Sequence, residues 1–339
     1  MFCAALACRR SRAWPCRRIL RGGGAYGQTG TVPADGALEQ IAVISDVHGN
    51  VTALEAVLAD IAARGITRIV NLGDLIGKGP RGAEAIRLCR QACEATVRGN
   101  WDSFISGGED LSSEAGRWVR RELSDGDLAW LAGLPGTHEL LLSGRRVRLF
   151  HASQASEFDR VRQNHTAAEF AAMFTNTEFT GDFTAGGGPA GLTPDVVGYG
   201  DIHRAYLKEG RGLTLFNAGS VGNHLSVSAA AYVILTGVPG SAETAPFSVS
   251  FAQTPYDIDA ELAIARQQGL PEYDAYALEL REGTYRGLKQ ALPPARLGGH
   301  RAVSRPQTPV RRYAPESARP GVGERPAAGR SGPVVSRQP

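Results

Sequence analysis

Short apolar runs and amphipathic stretches alternate along the middle of this chain. The run 41–44 has no polar interruption and predicts a buried strand. Leu54, Val57, Leu58 and Ile61 follow at i, i+3, i+4 and i+7, one face of a helix over 53–64 that Gly65 ends. A strand over 66–72, a helix over 82–92 and a short strand over 95–98 repeat the unit. Strands and helices alternating through short loops imply parallel βαβ units. The stretch 111–134 reads as helical, with Trp118, Leu123, Leu128, Trp130, Leu131 and Leu134 as packing anchors. Beyond it the texture becomes richer in strands, over 146–150, 196–199, 213–216, 230–235 and 247–252. A short helix over 166–174 and a last helix over 257–268 accompany them. No internal repeat stands out.

Polar residues collect where these strands end. Asp46-Val47-His48 follows the first strand, and Gly73-Asp74 follows the second. Gly99-Asn100-Trp101-Asp102 follows the third, His151 follows 146–150, and Gly200-Asp201-Ile202-His203 follows 196–199. In an open α/β sheet, groups at carboxyl strand ends converge on one crevice. An Asp-x-His pair can offer a carboxylate oxygen and an imidazole nitrogen to one divalent ion, although a lone pair at a strand end is more often a turn and a helix cap. Glycine before Asp74, Asn100 and Asp201 suits a backbone that must turn sharply to aim a ligand.

Composition refines the picture through its distribution. The net charge is +3, yet residues 1–34 carry six Arg and no acid, and residues 291–339 carry nine Arg and two Glu. The remaining residues, 35–290, therefore hold 3 − 6 − 7 = −10. The basic charge lies in the ends, which argues against a nucleic-acid-binding body; the acidic middle suits a site that collects cations. Residues 1–40 read as a disordered Arg-rich extension, with an organelle transit peptide or a misplaced start codon as alternatives. Residues 283–339 read as a disordered Pro/Arg/Gly-rich tail, with nine Pro and nine Arg among residues 291–339. The body between them, 41–282, forms one expected domain. No apolar run approaches the ~18 residues of a membrane span. Cys89 and Cys93 read as small core residues, and cysteine usage points to a reducing compartment, the cytoplasm.

The ordered set Asp46-x-His48, Gly73-Asp74, Gly99-Asn100, His151 and Gly200-Asp201-x-His203 resembles the calcineurin-like metallophosphoesterase superfamily. It looks most like the small bacterial branch of phosphodiesterases and diadenosine-tetraphosphatase-like proteins. Asn217-Ala-Gly-Ser-Val-Gly222 is similar to a turn of that branch, and the resemblance covers about residues 40–280. It implies an α/β fold, a four-layer α/β/β/α sandwich of two mixed sheets flanked by helices. It further implies two divalent ions, Mn²⁺ foremost with Fe²⁺, Mg²⁺ or Zn²⁺ as alternatives. Asp46, His48 and His203 would hold the first ion, Asp74 would bridge, and Asn100 and His151 would hold the second. Asp74, Asn100 and His151 would thus serve catalysis, in which a hydroxide shared by two ions ~3.5–4 Å apart attacks the phosphoryl group.

Two positions depart from the family pattern. Asp201 replaces a His and is expected to complete the second ion's ligands as a hard oxygen donor. Trp101 stands where many members carry a proton-donating His, and indole cannot act as a general acid. His224 or Asp102 could substitute. Arg98, Lys78 and Arg81 could hold substrate phosphate, with ordinary surface charge as the rival reading; His224 is a further substrate-binding candidate. The expected activity is hydrolysis of small nucleotide-type phosphate esters. The alternative is a degenerate scaffold with one ion or none. Oligomeric state leaves no signal.

Overall fold

The computed structural model describes residues 36–107, 111 and 113–285. The expected N-terminal extension, up to residue 35, and the tail beyond residue 285 lie outside the described residues. The first strand, β1 (Glu39–Ile44), begins within the stretch expected to be disordered. It is followed by α1 (Val51–Ala63), β2 (Arg68–Asn71), α2 (Gly82–Ala92) and β3 (Ala95–Thr96). Asn50 caps α1 by accepting the Ala53 N–H at 3.0 Å, which satisfies one of the orphan donors of its first turn. Val51, Leu54, Val57 and Ile61 are the buried face of α1.

The expected helix over 111–134 is two helices, α4 (Glu114–Arg121) and α5 (Asp125–Ala132), preceded by an unforeseen α3 (Asn100–Ser106). Ser124 divides α4 from α5. Its hydroxyl and the Asp127 carboxylate form a reciprocal capping box that starts a new helix there.

The second half holds β4 (Thr137–Leu142), β5 (Arg145–Phe150), α6 (Ala167–Ala172), β6 (Val196–Tyr199), β7 (Tyr206–Gly210) and β8 (Leu213–Asn217). Then come β9 (Ala230–Gly237), β10 (Ser248–Thr254), α7 (Ile258–Gln267) and α8 (Tyr273–Glu282). The edge strands β4 and β7 and the helix α8 were not foreseen.

The strands form two five-stranded mixed sheets, ordered β10-β9-β1-β2-β3 and β4-β5-β6-β8-β7. In the first, β1, β2 and β3 run parallel, and β9 and β10 are antiparallel additions. In the second, β5, β6 and β8 run parallel, flanked by antiparallel β4 and β7. β1 shows why the sheets stack. Its alternate residues face opposite ways: Ala42 and Ile44 pack with Leu54, Val57 and Ile86 of the helical layer. Ile41 and Val43 pack with Val147, Leu149, Val196 and Phe216 of the other sheet. The outer face of the second sheet buries Val197, Tyr199 and Leu215 against Phe170 and Met173. Each large side chain buried this way contributes about 1.5–3 kcal/mol. The result is the four-layer α/β/β/α order. Among the described residues no helix is long and apolar enough to cross a membrane.

The carboxyl ends of the parallel strands in both sheets meet at one place, and the backbone there is laced. Asp46, His48 and Gly49 donate N–H groups to the carbonyls of Gly73, Asp74 and Leu75 at 2.8–3.0 Å, extending the β1–β2 ladder into the loops. From the other side, Val221 and Gly222 donate to Ser45 and Asp46 at 2.9 and 3.0 Å. The approach at Gly222 is so close that a Cβ there would sit 1.8 Å from the Val47 carbonyl oxygen. Gly222→Ala is therefore expected to lower stability by at least ~2 kcal/mol through overpacking, read as the midpoint of denaturant unfolding. An unchanged midpoint would mean that the turn after β8 is not pinned against the loop after β1.

Candidate metal centre

Asp46 and His48 follow β1, Asp74 follows β2, Asn100 opens α3 after β3, His151 follows β5, and Asp201 and His203 follow β6. Nine non-glycine residues among those described have positive φ, and five of them are Asp46, His48, Asp74, Asp201 and His203, at 50–61°. Left-handed backbone is costly for residues with a Cβ and gathers at functional sites. Here it falls on both polar residues of each D-x-H segment.

Three imidazoles share one arrangement. His48 Nδ1 lies 3.0 Å from the Ile76 carbonyl, His151 Nδ1 2.7 Å from that of Leu72, and His203 Nδ1 2.6 Å from that of Asn223. A carbonyl can only accept, so each Nδ1 carries the ring proton and each Nε2 is turned inward. His203 Nε2 lies 3.1 Å from Asp46 Oδ1 and 3.0 Å from His48 Nε2. His48 Nε2 lies 3.6 Å from Asp74 Oδ2, and His151 Nε2 lies 3.5 Å from Asp74 Oδ1 and 3.2 Å from Asn100 Oδ1. Asp74 thus turns one oxygen toward each side. Two ligand groups result, Asp46–His48–His203 and Asp46–Asp74–His151, with Asn100 against the second.

Their electrostatics follow from burial. Burial alone would raise Asp46, but His203, His151 and His48 around it hold its carboxyl well below the ordinary range. Burial, with the charge of Asp46, raises Asp74. Burial, followed by His203 and Lys78, pushes His48 far down, so its ring is neutral and presents a lone pair. Burial opposes protonation of His151, yet Asp74 beside it raises it well above its usual value. Two Nε2 atoms at 3.0 Å require positive charge between them, and Asp46 Oδ1 is buried without a hydrogen-bond partner. Imidazole, carboxylate and amide oxygen donors with an orphaned buried oxygen fit a divalent ion.

Supporting groups hold this set. Ser45 Oγ donates to Asp46 Oδ2 at 2.5 Å. The Asp102 carboxylate accepts the N–H groups of Asp74, Gly99 and Leu75 at 2.8, 3.0 and 3.1 Å. It ties the loop after β2 to the loop after β3, and burial beside Asp74 raises it to about 7. Asn223, whose carbonyl fixes His203, takes Lys78 Nζ on Oδ1 at 3.1 Å and offers Nδ2 to the buried Glu279 of α8, also at 3.1 Å. Arg160, Asn223 and Glu279 were not among the sequence candidates. Their partners are 41, 20 and 56 residues away in sequence, so no local spacing marks them.

The other candidates lie apart from the ligand groups. Arg98 is directed at Glu157 and the Ala132 carbonyl, at 3.2 and 3.1 Å. Arg81 is held by Glu261 and Thr52. Neither lines the cavity of about 770 Å³ that opens over His48, Asp74, Asn100 and His203; Lys78 does. Trp101 also lines it, its ring edge-on to His48 at 6.3 Å between centroids. His224 is buried, with Nδ1 accepting the N–H groups of Ser226 and Val227 at 3.3 Å. The Asp201 carboxylate joins neither ligand group; Arg160 occupies both of its oxygens, at 2.7 Å each.

The family model for the calcineurin-like phosphoesterase superfamily domain matches residues 40–238. The uncharacterized protein MJ0912 of Methanocaldococcus jannaschii is 38% identical over 119 residues, covering 33% of this chain and 49% of that protein. The chain thus spans about half the length of the curated relative it matches. A metallophosphoesterase from Sphaerobacter thermophilus shares the fold with a TM-score of 0.56 at 23% identity, over 73% of this chain and 99% of that one. Protein PH1004 of Pyrococcus horikoshii OT3 does so with a TM-score of 0.56 at 16% identity, over the same shares.

The His224 environment predicts a pH effect on stability. Burial, followed by His203 and Arg204, lowers this imidazole from an ordinary 6.5 to about 4. Its contribution is complete above 6.5 and is lost as pH falls toward 4, because the unfolded chain takes up the proton first. Between pH 7.5 and 5 that loss is about 2 kcal/mol. With EDTA present, denaturant unfolding should show wild type losing more stability over this interval than His224→Asn. Equal losses would show that the ring is not held neutral.

Proposed function

Since this chain belongs to the calcineurin-like phosphoesterase superfamily, we propose that it is a metal-dependent phosphodiesterase acting on small nucleotide-type phosphate esters. The observation that carries this reading is the set of three histidines, each committing Nδ1–H to a main-chain carbonyl and turning Nε2 onto Asp46 and Asp74. Asp46, His48 and His203 would hold one ion, and His151 and Asn100 a second, with Asp74 offering one oxygen to each. Bound ions supply positive charge that polarises phosphoryl oxygens and lowers the pKa of water. An oxygen-rich second group favours Mn²⁺, then Fe²⁺ or Mg²⁺, over Zn²⁺.

The chain's own residues set the rest. Carbonyls of Leu72, Ile76 and Asn223 fix the ring tautomers. Trp101 walls the cavity beside His48 and cannot protonate a departing alkoxide. General acid help is worth roughly 10²–10⁴-fold, so esters with acidic leaving groups are the preferred substrates. Free Cys89 and Cys93 suit a reducing, cytoplasmic setting.

A second reading, a binding scaffold with one ion or none, draws on the engagement of Asp201 by Arg160, which takes a carboxylate away from the second group. Metal analysis and turnover decide between the two. The enzyme reading expects two ions per chain, hydrolysis of bis(p-nitrophenyl) phosphate in Mn²⁺, and a loss of at least ~100-fold in kcat/KM for Asp46→Asn. Finding one ion or none together with no turnover would establish the scaffold.

A further inference from the structure

Asn223 uses every polar atom it has, and one of them leads out of the stretch that the family model matches. Its N–H donates to Ser220 Oγ at 2.8 Å, and its carbonyl accepts His203 Nδ1–H at 2.6 Å. Its side-chain amide lies between two groups of opposite kind. Lys78 Nζ, which can only donate, meets Oδ1 at 3.1 Å. The Glu279 carboxylate, which can only accept, meets Nδ2 at 3.1 Å. An amide turned the other way would set its NH₂ against the ammonium and its oxygen against the carboxylate. One orientation therefore satisfies both neighbours. In it Oδ1 lies 3.1 Å from His203 Nδ1, a second acceptor beside the main-chain carbonyl.

Glu279 belongs to α8, beyond residue 238, where the family match ends. Its side chain is 0% exposed, and Lys78 Nζ lies 3.6 Å from its Oε2. A buried ion pair is a poor device for docking a helix, because desolvation takes back what the attraction returns. α8 has an apolar face for that purpose: Tyr276 and Leu280 pack with Leu262, Ala265 and Leu270. The same helix abuts both loops behind the first ligand group. A Cβ at Gly79 would meet the Tyr276 hydroxyl at 2.9 Å, and the Gly79 N–H donates to the His48 carbonyl at 2.8 Å. On the other side, Ser228, shortly after Asn223, donates its hydroxyl to the Arg281 carbonyl at 2.6 Å.

We infer that Glu279 is a positioning residue for the first ion. By fixing the Asn223 amide it aims two acceptors at His203 Nδ1–H, which holds Nε2 of that ring toward Asp46 and makes it a stronger ligand. The inference rests on the metal-centre reading of Asp46, His48 and His203. It makes a helix outside the family-matched stretch part of the site, with Lys78 completing the arrangement from the cavity wall.

Two measurements test it. Titration of metal-free protein with Mn²⁺, with free Mn²⁺ followed by electron paramagnetic resonance, gives the affinity for each ion. ¹H–¹⁵N NMR of the metal-free protein follows the His203 Nδ1–H, assigned by its absence from His203→Asn. Glu279→Gln should weaken one Mn²⁺ roughly 10–100-fold, and should shift the His203 signal and hasten its exchange with solvent. Asn223→Ala, which leaves the Glu279–Lys78 pair standing and cuts its path to the ring, should do the same. Glu261→Gln removes an equally buried carboxylate from α7, one paired with Arg81, and should leave Mn²⁺ affinity and the His203 signal as they are in wild type. Unchanged Mn²⁺ affinity or an unmoved His203 signal in Glu279→Gln and Asn223→Ala would overturn the inference. So would equal weakening by Glu261→Gln, which would reduce Glu279 to a general support of the fold. Absence of Mn²⁺ binding by wild type overturns the metal reading beneath it, and the His203 signal alone then decides whether Glu279 orients the ring.

Discussion

Two carboxylates, Asp46 and Asp74, are buried among three imidazoles, and that confinement governs the structure around it. Removing a carboxylate from water costs several kcal/mol unless opposite charge or hydrogen bonds replace the lost solvation. Much of the surrounding chain supplies that replacement. Ser45 and the Asp201 N–H serve Asp46, and the Trp101 N–H serves Asp74 at 2.8 Å. His203 and His151 complete the enclosure. The oxygen left over, Asp46 Oδ1, is the one on which His48 and His203 converge.

The two sheets exist, in this sense, to bring that enclosure together. Neither carries the whole candidate set. Asp46, His48, Asp74 and Asn100 come from the parallel strands of one sheet, and His151 and His203 from those of the other. The apolar layer between them, with Ile41 and Val43 against Val147 and Phe216, sets their spacing. The laced loops and the close approach at Gly222 fix how the strand ends face each other.

The parallel core and the strand-end residues were legible because they obey local rules. Continuous apolar runs such as 41–44 and 196–199 mark strands covered on both faces, and polar residues directly after them can only emerge at the sheet's edge. What escaped detection obeys no local rule. The edge strand β7 alternates half-buried Tyr206 and Lys208 with exposed Leu207 and Glu209, an inverted pattern that reads as loop. The single helical texture over 111–134 hid the break at Ser124. Arg160, Asn223 and Glu279 act through partners far along the chain. Asp201 was assigned by analogy with a histidine at its position, and its side chain is paired with Arg160.

The left-handed residues of the centre bear on what a substitution there would do. Each of Asp46, His48, Asp74, Asp201 and His203 holds a conformation that glycine or asparagine would adopt at lower cost, roughly 1 kcal/mol or more apiece. Replacing one of these side chains by glycine would therefore relieve backbone strain while removing a buried polar group. Five acids and imidazoles held in left-handed backbone mark the strand ends as a place where side-chain position overrides local backbone preference.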